Sequence, residues 1–399
     1  MRSIHIRRRE AWLAVLVVLA ASLPAVAQTA GSARERSVSR GTAFGLKGTK
    51  IIKTDQAWLP PFGVDIWFST ETSFTVGSPD GRPDAVTQVG GGDLLSWTGQ
   101  VVRYNGELAG RLGIMPPVPP LGLDAVMLAP GGAIWFSFKE TTAPIWSETL
   151  STWLQHGDLL SESGAIVRTN EQLLAKFERM PPVTDAGLDA ITRAPNGSFL
   201  FSTTTDFFSQ RLGEVVRRGD LLSDRGVIAL RNQDLLRNFQ IHNPAMKSAA
   251  VDYGLDAVIL RSNTEIWFST EVGFQDARLG PISDGDLLST AGYVVARNFD
   301  LVAAFAPVED VDSFGLDAMA VGLPVMIGDL DLDGDVDQAD LRIFRANLTM
   351  SPGPDGAISA VDPLNFADMD GDGLVNLNDF GIFQRSVNRR DVPVANGAK

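Results

Sequence analysis

The residues best placed to do chemistry in this chain of 399 residues are the acidic side chains of two twelve-residue loops near its C-terminus, 329–340 (DLDLDGDVDQAD) and 368–379 (DMDGDGLVNLND). In the first, side-chain oxygens fall at loop positions 1, 3, 5, 9 and 12: Asp329, Asp331, Asp333, Asp337 and Asp340. Gly334 stands at position 6, where the backbone must turn sharply at positive φ, and Asp335 at position 7 offers its backbone carbonyl. The second loop repeats the phase with Asp368, Asp370, Asp372, Asn376 and Asp379, with Gly373 at position 6 and the Leu374 carbonyl at position 7. Calcium is a hard cation that takes about six to eight oxygens at about 2.3–2.6 Å, and oxygens at alternate loop positions curl onto one point. Two such loops in phase therefore point to two calcium ions. Without an ion, carboxylates about 4 Å apart repel by roughly 4 kcal/mol per pair at an effective dielectric near 20, so each ion-free loop is expected to be loose.

The elements that must position these loops follow them directly. Leu341, Phe344 and Leu348, and at matching offsets Phe380, Phe383 and Val387, make one apolar face of a short helix after each loop. A full EF-hand would add an entering helix and usually Glu at position 12. Here the approach to the first loop, LPVMIG at 323–328, is short and broken by Gly, and position 12 is Asp. The duplicated loop and exiting helix, spanning 324–390, resembles a type I dockerin. The resemblance implies two calcium ions stabilising a small helical module that docks onto a cohesin domain of a scaffold protein. It also implies company, since relatives are often appended to secreted polysaccharide-degrading enzymes. Positions 10 and 11, commonly Ser or Thr in cohesin-contacting dockerins, are Gln338 and Ala339 in one loop and Leu377 and Asn378 in the other, and the connector at 349–367 is long. The calcium set matches the family and the cohesin-contacting positions depart from it.

The N-terminus suggests where calcium would be met. Arg7, Arg8 and Arg9 precede an apolar stretch at 11–21 and an Ala25-Val26-Ala27 cleavage signal, so 1–27 is read as a signal peptide and 28–49 as a linker. The arginines leave the twin-arginine route open, although Glu10 and Ala11 fit it poorly. No stretch approaches the length of a membrane span. The expectation is an exported, soluble protein, secreted or at the cell surface. The absence of cysteine excludes thiol catalysis, disulfides and thiolate metal sites. His5 lies in the leader, so only His156 and His242 remain, which excludes a multi-histidine metal centre; both read as ordinary surface or loop residues. The formal charge of −14 becomes about −17 without the leader, which argues against a nucleic-acid partner.

Between residues 60 and 321 the chain repeats itself four times, with a period of about 65 residues. Each unit opens on an apolar strand: IWFST at 66–70, IWFSF at 134–138, FLFST at 199–203 and IWFST at 266–270. GDLLS follows at 92–96, 157–161, 219–223 and 285–289, and a turn from its Ser to a Gly leads into a β-branched strand, making a hairpin. Next come Asn105, Asn170, Asn232 or Asn298, with apolar residues three and seven positions on. This predicts a two-turn helix with Asn as its N-cap. GLDA at 122–125, 187–190, 254–257 and 315–318 then begins a second hairpin with the next IWFS. The first IWFST has no good GLDA before it, and the last GLDA has no IWFS after it. In a ring the last strand would complete the first unit, so the leading architecture is a propeller-like ring, with an open β-repeat array as the alternative.

Two series of aspartates recur, Asp124, Asp189, Asp256 and Asp317, and Asp93, Asp158, Asp220 and Asp286. Residues present in every repeat are expected to serve every repeat, here by accepting hydrogen bonds from backbone donors, with additional ion binding and catalysis as the alternatives. Trp67, Trp135 and Trp267 are replaced by Leu200 in the third unit, which fits a core position better than a sugar-stacking platform. The segments between IWFS and GDLLS vary most, and 138–156, with Trp146 and Trp153, is where a ligand site is expected.

The chain is thus read as mainly β: four repeats over 50–323, a small α-helical dockerin-like module with two EF-hand-like calcium loops over 324–390, and a tail at 391–399. The expected role is non-enzymatic binding or assembly through a cohesin-type partner, with the repeats as a carbohydrate-binding candidate and no catalytic residue assigned. The alternatives are a dockerin-bearing glycoside hydrolase, which would need two carboxylates about 5–10 Å apart, and a structural cell-surface protein.

Overall fold

Ile66 and Phe68 are buried with Trp67 half-buried between them, the period-two pattern of a strand with one face in a core. In the computed structural model this strand forms in every repeat, as Ile66–Phe68, Ile134–Phe138, Phe199–Phe201 and Ile266–Ser269. The structure describes residues 65–77, 87–115, 121–139, 145–181, 185–241, 251–309, 311, 313–323, 325–349, 362 and 364–387. The leader, the linker at 28–49 and the tail at 391–399 lie outside the described residues.

The fold is mainly β and made of small antiparallel sheets. Four of these have four strands each, in the same order: GLDA strand, IWFS strand, GDLLS strand, β-branched strand. The second sheet runs Leu123–Leu128, Ile134–Phe138, Leu159–Ser161, Ala165–Arg168; the third Ile191–Arg193, Phe199–Phe201, Leu221–Ser223, Val227–Leu230; the fourth Ala257–Leu260, Ile266–Ser269, Leu287–Ser289, Tyr293–Ala296. The first sheet joins the two ends of the repeat region. Met319–Val321 lies beside Ile66–Phe68, with Ile66 opposite Val321, Trp67 opposite Ala320 and Phe68 opposite Met319.

Contacts between sheets follow a cycle. The four GLDA strands touch one another in the order 123–128, 191–193, 257–260, 319–321 and back to 123–128. The serine of each IWFS motif donates to the leucine carbonyl of the next GLDA: Ser69 to Leu123 at 3.0 Å, Ser137 to Leu188 at 2.9 Å, Ser202 to Leu255 at 2.7 Å and Ser269 to Leu316 at 3.5 Å. All four serines are fully buried, which explains why a polar residue recurs inside an apolar strand: its hydroxyl finds a backbone carbonyl of the next unit as partner.

The hairpin turns form as expected. Gly99 N–H donates to the Ser96 carbonyl at 2.9 Å, and Gly99, Gly164, Gly226 and Gly292 all take φ between +81° and +90°. Two expectations need correction. The segments between IWFS and GDLLS are not merely loops, because each contains a further hairpin, such as Ile145–Ser147 with Thr152–Leu154 and Phe207–Ser209 with Glu214–Val216. These three-residue strands are too short to show periodicity. The helix asparagines, moreover, are not N-caps. The helices are Asn105–Ala109, Asn170–Leu174, Asn232–Leu235 and Asn298–Val302, and the cap is the extended residue before each Asn. The amide is needed elsewhere: Asn105 Nδ2 donates to the Gly92 and Leu121 carbonyls, and its Oδ1 accepts from Leu121 N–H at 2.9 Å. The predicted apolar face is buried in all four helices, from Leu108 and Leu112 to Leu301 and Phe305.

The third-repeat Leu200 is fully buried and Trp267 is 2% exposed, as a core position requires, while Trp67 and Trp135 are only half-buried against the core. Near the C-terminus, helices Gln338–Ala346 and Leu377–Val387 form. The Phe344 ring stacks on Phe383 at 5.4 Å. Both helices begin at loop position 10, earlier than expected, and Leu348 falls beyond the first helix, 42% exposed. Leu330, Phe344, Met369 and Phe383 share one apolar core with Leu200 and Phe268 of the repeats. Gly328 N–H donates to the Pro195 carbonyl, and Arg225 donates to the Asp368 and Met369 carbonyls at 3.2 and 3.0 Å. Among the described residues no helix is long and apolar enough to cross a membrane.

Candidate metal centres

The two C-terminal loops adopt the same internal wiring. Position 12 closes each: Asp340 Oδ1 accepts from Leu330 and Asp331 N–H and Oδ2 from Asp337 N–H, while Asp379 accepts from Met369, Asp370 and Asn376 in the same pattern. Both residues are fully buried. Position 1 accepts from the position 6 glycine, Gly334 N–H to Asp329 at 3.0 Å and Gly373 N–H to Asp368 at 3.1 Å. Those glycines take φ of +99° and +88°, which is the turn that the sequence requires. Position 4 is left-handed as well, at Leu332 and Gly371, a demand that the sequence signals only in the second loop.

This wiring gathers carboxylates. One oxygen each of Asp329, Asp331 and Asp333 lies within 4.8 Å of the others, as do those of Asp335, Asp337 and Asp340, and those of Asp368, Asp370 and Asp379. Asp335 therefore brings its carboxylate, not only its carbonyl, to the cluster. Asp372 and Asn376 instead accept from local backbone N–H groups, of Leu374 at 2.8 Å and of Asn378 at 2.8 Å. Burial, with Asp340 and Asp333 nearby, pushes the Asp329 carboxyl up to about 7. Burial likewise raises Asp331, Asp368 and Asp370. Asp331 Oδ1 is buried with no hydrogen-bond partner. An all-oxygen donor set with an orphaned buried oxygen suits a hard cation, and these clusters could hold metal ions.

The two recurring aspartate series part company in the fold. Asp93 accepts from Gly90 N–H at 2.9 Å and Asn105 N–H at 2.8 Å, and Asp158, Asp220 and Asp286 repeat the pair. These hold the turn before GDLLS to the helix start, as expected. Asp124, Asp189, Asp256 and Asp317 do not behave this way. They sit where the four GLDA strands meet, are 2–6% exposed, and in each the Oδ2 atom has no hydrogen-bond partner. Desolvation raises Asp124, Asp189 and Asp256 well above the ordinary carboxylate range, and neighbouring carboxylates add to it.

The residue after each IWFST or IWFSF leans over the glycine of its own sheet's GLDA. A Cβ on Gly315 would meet Glu71, one on Gly122 Lys139, one on Gly187 Thr204 and one on Gly254 Glu271 at 2.4 Å. The four equivalent positions are thus Glu, Lys, Thr and Glu. Lys139 Nζ pairs with Asp317 Oδ1 at 2.9 Å. In the third and fourth sheets Asp189, Asp256 and Glu271 bring one oxygen each within 4.8 Å of one another. Arg218 reaches Glu271 Oε2 at 2.5 Å. Sequence reasoning singled out the aspartates of this cluster but missed Glu271 and Lys139, whose signal was the changing charge after a constant strand.

The expected ligand segment borders a cleft of about 520 Å³, lined by Trp153, Gln155, Asp158, Thr169, Glu171 and Arg179 among others. Trp153 is 58% exposed and meets Trp146 edge to face at 5.2 Å. His156 is half-buried beside this segment, and His242 lies outside the described residues.

No family model matches the chain, and no curated protein matches it. Among solved structures, the chain is similar to a protein of unknown function from Bacteroides caccae, at 10% identity over 65% of this chain and 98% of that one, with a TM-score of 0.24. A likeness at that score carries no argument.

Proposed function

We propose that this is an exported calcium-binding protein in which a four-bladed β-propeller, closed by its last strand, carries a C-terminal dockerin-like module that docks it to a cohesin-type partner. The observation that carries this reading is the convergence of carboxylates in two loops of identical phase, Asp329, Asp331 and Asp333 in one and Asp368, Asp370 and Asp379 in the other. With Asp335, Asp337, Asp340, Asp372, Asn376 and the Leu374 carbonyl, they would hold two ions. Calcium would remove the repulsion within each loop and set the helices whose Phe344 and Phe383 rings stack. The propeller reading is supported by the pairing of Met319–Val321 with Ile66–Phe68 and by the cyclic serine contacts. Docking is supported by the resemblance of 324–390 to a type I dockerin, and Leu377, at loop position 10 and 84% exposed, is free to meet a partner.

A second role, carbohydrate binding by the repeats, is favoured by the exposed Trp153 at the rim of a cleft of mixed polar and apolar lining. The glycoside hydrolase alternative gains less from the same cleft. Asp158 spends its oxygens on Gln155 and Asn170 N–H, and the same arrangement recurs in every repeat. Calcium titration of the full chain by calorimetry tests the main reading. Replacing Asp329 and Asp368 together with Ala should remove two ions per chain, and an unchanged stoichiometry would overturn the loop assignment. Fractionation of secreted and envelope-bound protein, with and without 324–399, in calcium and in chelator, tests the docking role.

A further inference from the structure

The axial cluster has features that the backbone-binding role does not explain. A carboxylate that serves a turn accepts backbone hydrogen bonds, as the Asp93 series does. The Oδ2 atoms of Asp124, Asp189, Asp256 and Asp317 accept none, although each residue is at least nine-tenths buried. Such orphaned acceptors are rare in folded proteins and call for a partner. Lys139 donates to the other oxygen of Asp317, Oδ1, at 2.9 Å, which places a cation beside that carboxylate without reaching the orphaned Oδ2. The residue equivalent to Lys139 is Thr204 in the third sheet, which is uncharged, and Glu271 in the fourth, a further acid.

We infer that Asp189, Asp256 and Glu271 form a third cation site, at the centre of the four repeats and separate from the C-terminal loops, that takes a divalent oxygen-liganded ion, calcium. Their oxygens lie within 4.8 Å of one another, a span that one ion about 2.3–2.6 Å from each can bridge. The donor set is carboxylate only, which selects a hard cation over a transition metal. Gly254, at φ +73°, makes room for it: a Cβ there would strike the Glu271 side chain at 2.4 Å and push its carboxylate out of the cluster. Arg218 pairs with Glu271 Oε2 at 2.5 Å, which engages one oxygen of that carboxylate and leaves Oε1 as its candidate ligand atom. Because each ligand comes from a different strand or strand end, the ion would tie the third sheet to the fourth, which the backbone does only by serial connection. Between the second sheet and the first, Lys139 supplies a fixed cation beside Asp317.

The test uses the full chain, stripped with chelator and dialysed against calcium chloride, with bound calcium counted per chain. The variant Asp329→Ala/Asp368→Ala, which leaves the ring untouched, should retain one ion, and the further change Asp256→Asn should remove it. Circular dichroism checks that each variant is folded. If Asp256→Asn fails to fold, Glu271→Gln, at the edge of the cluster, replaces it. One ion in the loop variant that is lost with Asp256→Asn or Glu271→Gln establishes the site. No ion in the loop variant, or one that survives both ring substitutions, overturns it. The two readings fail separately: a wild-type chain and a loop variant that both hold one ring-dependent ion would sink the loop assignment and leave this site standing.

Discussion

The ammonium of Lys139 lies 2.9 Å from the Asp317 carboxylate, although 178 residues separate the two in sequence. Lys139 follows the IWFSF strand of the second sheet, and Asp317 precedes the strand that completes the first. The pair therefore spans the junction between the two ends of the repeat region. Burial pushes the Asp317 carboxyl up to about 6 even though Lys139 pulls the other way. Burial also opposes the charge on Lys139, but Asp317 outweighs it and the lysine stays well above its ordinary range.

Replacing Lys139 with Met should destabilise the protein by about 2 kcal/mol at pH 8. That is less than the usual cost of breaking a buried pair, because the ammonium is half-exposed. Asp317 has a folded-state pKa above its unfolded value, so ionising it works against the fold, and stability falls as pH rises through about 6. The substitution removes the main compensation for that ionisation. Its cost should therefore shrink at pH 5, which urea denaturation at the two pH values will show.

Replacing Met319–Val321 with Gly-Ser-Gly should loosen more than the first sheet. These residues pair with Ile66–Phe68 and also touch the inner strands of the second and fourth sheets. Amide exchange should accelerate in all four sheets. Faster exchange confined to 66–68 would mean that the sheets are independently stable.

Asn170→Ala should cost about 3 kcal/mol, because it leaves the buried Gly187 carbonyl and Ala186 N–H without partners. Thr169→Ala, which removes the true cap donation from Gln172 N–H, should cost only about 1 kcal/mol. Denaturant midpoints rank the two, and the opposite order would restore Asn170 to the capping role.

In chelator, the stability of the C-terminal module should fall as pH rises from about 4 to 7. The reason is that the Asp329 carboxyl, raised to about 7 by burial, binds its proton more tightly folded than unfolded. Saturating calcium competes with that proton and should reverse the slope. Thermal melts at pH 5 and pH 8, with and without calcium, give all four values needed.

Arg225→Ala should weaken calcium binding at the second loop while sparing the first. The guanidinium donates to the carbonyls of Asp368 and Met369, at the start of the second loop only. Two hydrogen bonds from a charged donor are worth about 2 kcal/mol here, so affinity at that loop should drop by more than tenfold. Calorimetry that resolves binding at the two loops will separate this from a uniform loss.

Short-range chemistry was legible in the sequence. The spacing of Asp329 to Asp340 with Gly334 set the loop geometry, Ser96 with Gly99 set the hairpin turn, and Leu108 with Leu112 marked a buried helix face, because each depends on residues within about a dozen positions. The missed hairpins are strands of three residues, too short for a period to appear. The asparagine misreading is also physical: at 105, 170, 232 and 298 the residue type suits a cap, but a buried carbonyl and N–H sixteen or more residues on compete for the same amide. The two aspartate series looked alike along the chain, and only tertiary structure separated them. Asp93 meets backbone donors within twelve residues of itself. Asp189, Asp256 and Glu271 meet one another, and Asp317 meets Lys139, only because four separate hairpins bring their inner strands to a common centre. Whether a buried carboxylate finds a donor, a cation or another acid there depends on which repeats face each other, and no local pattern encodes that.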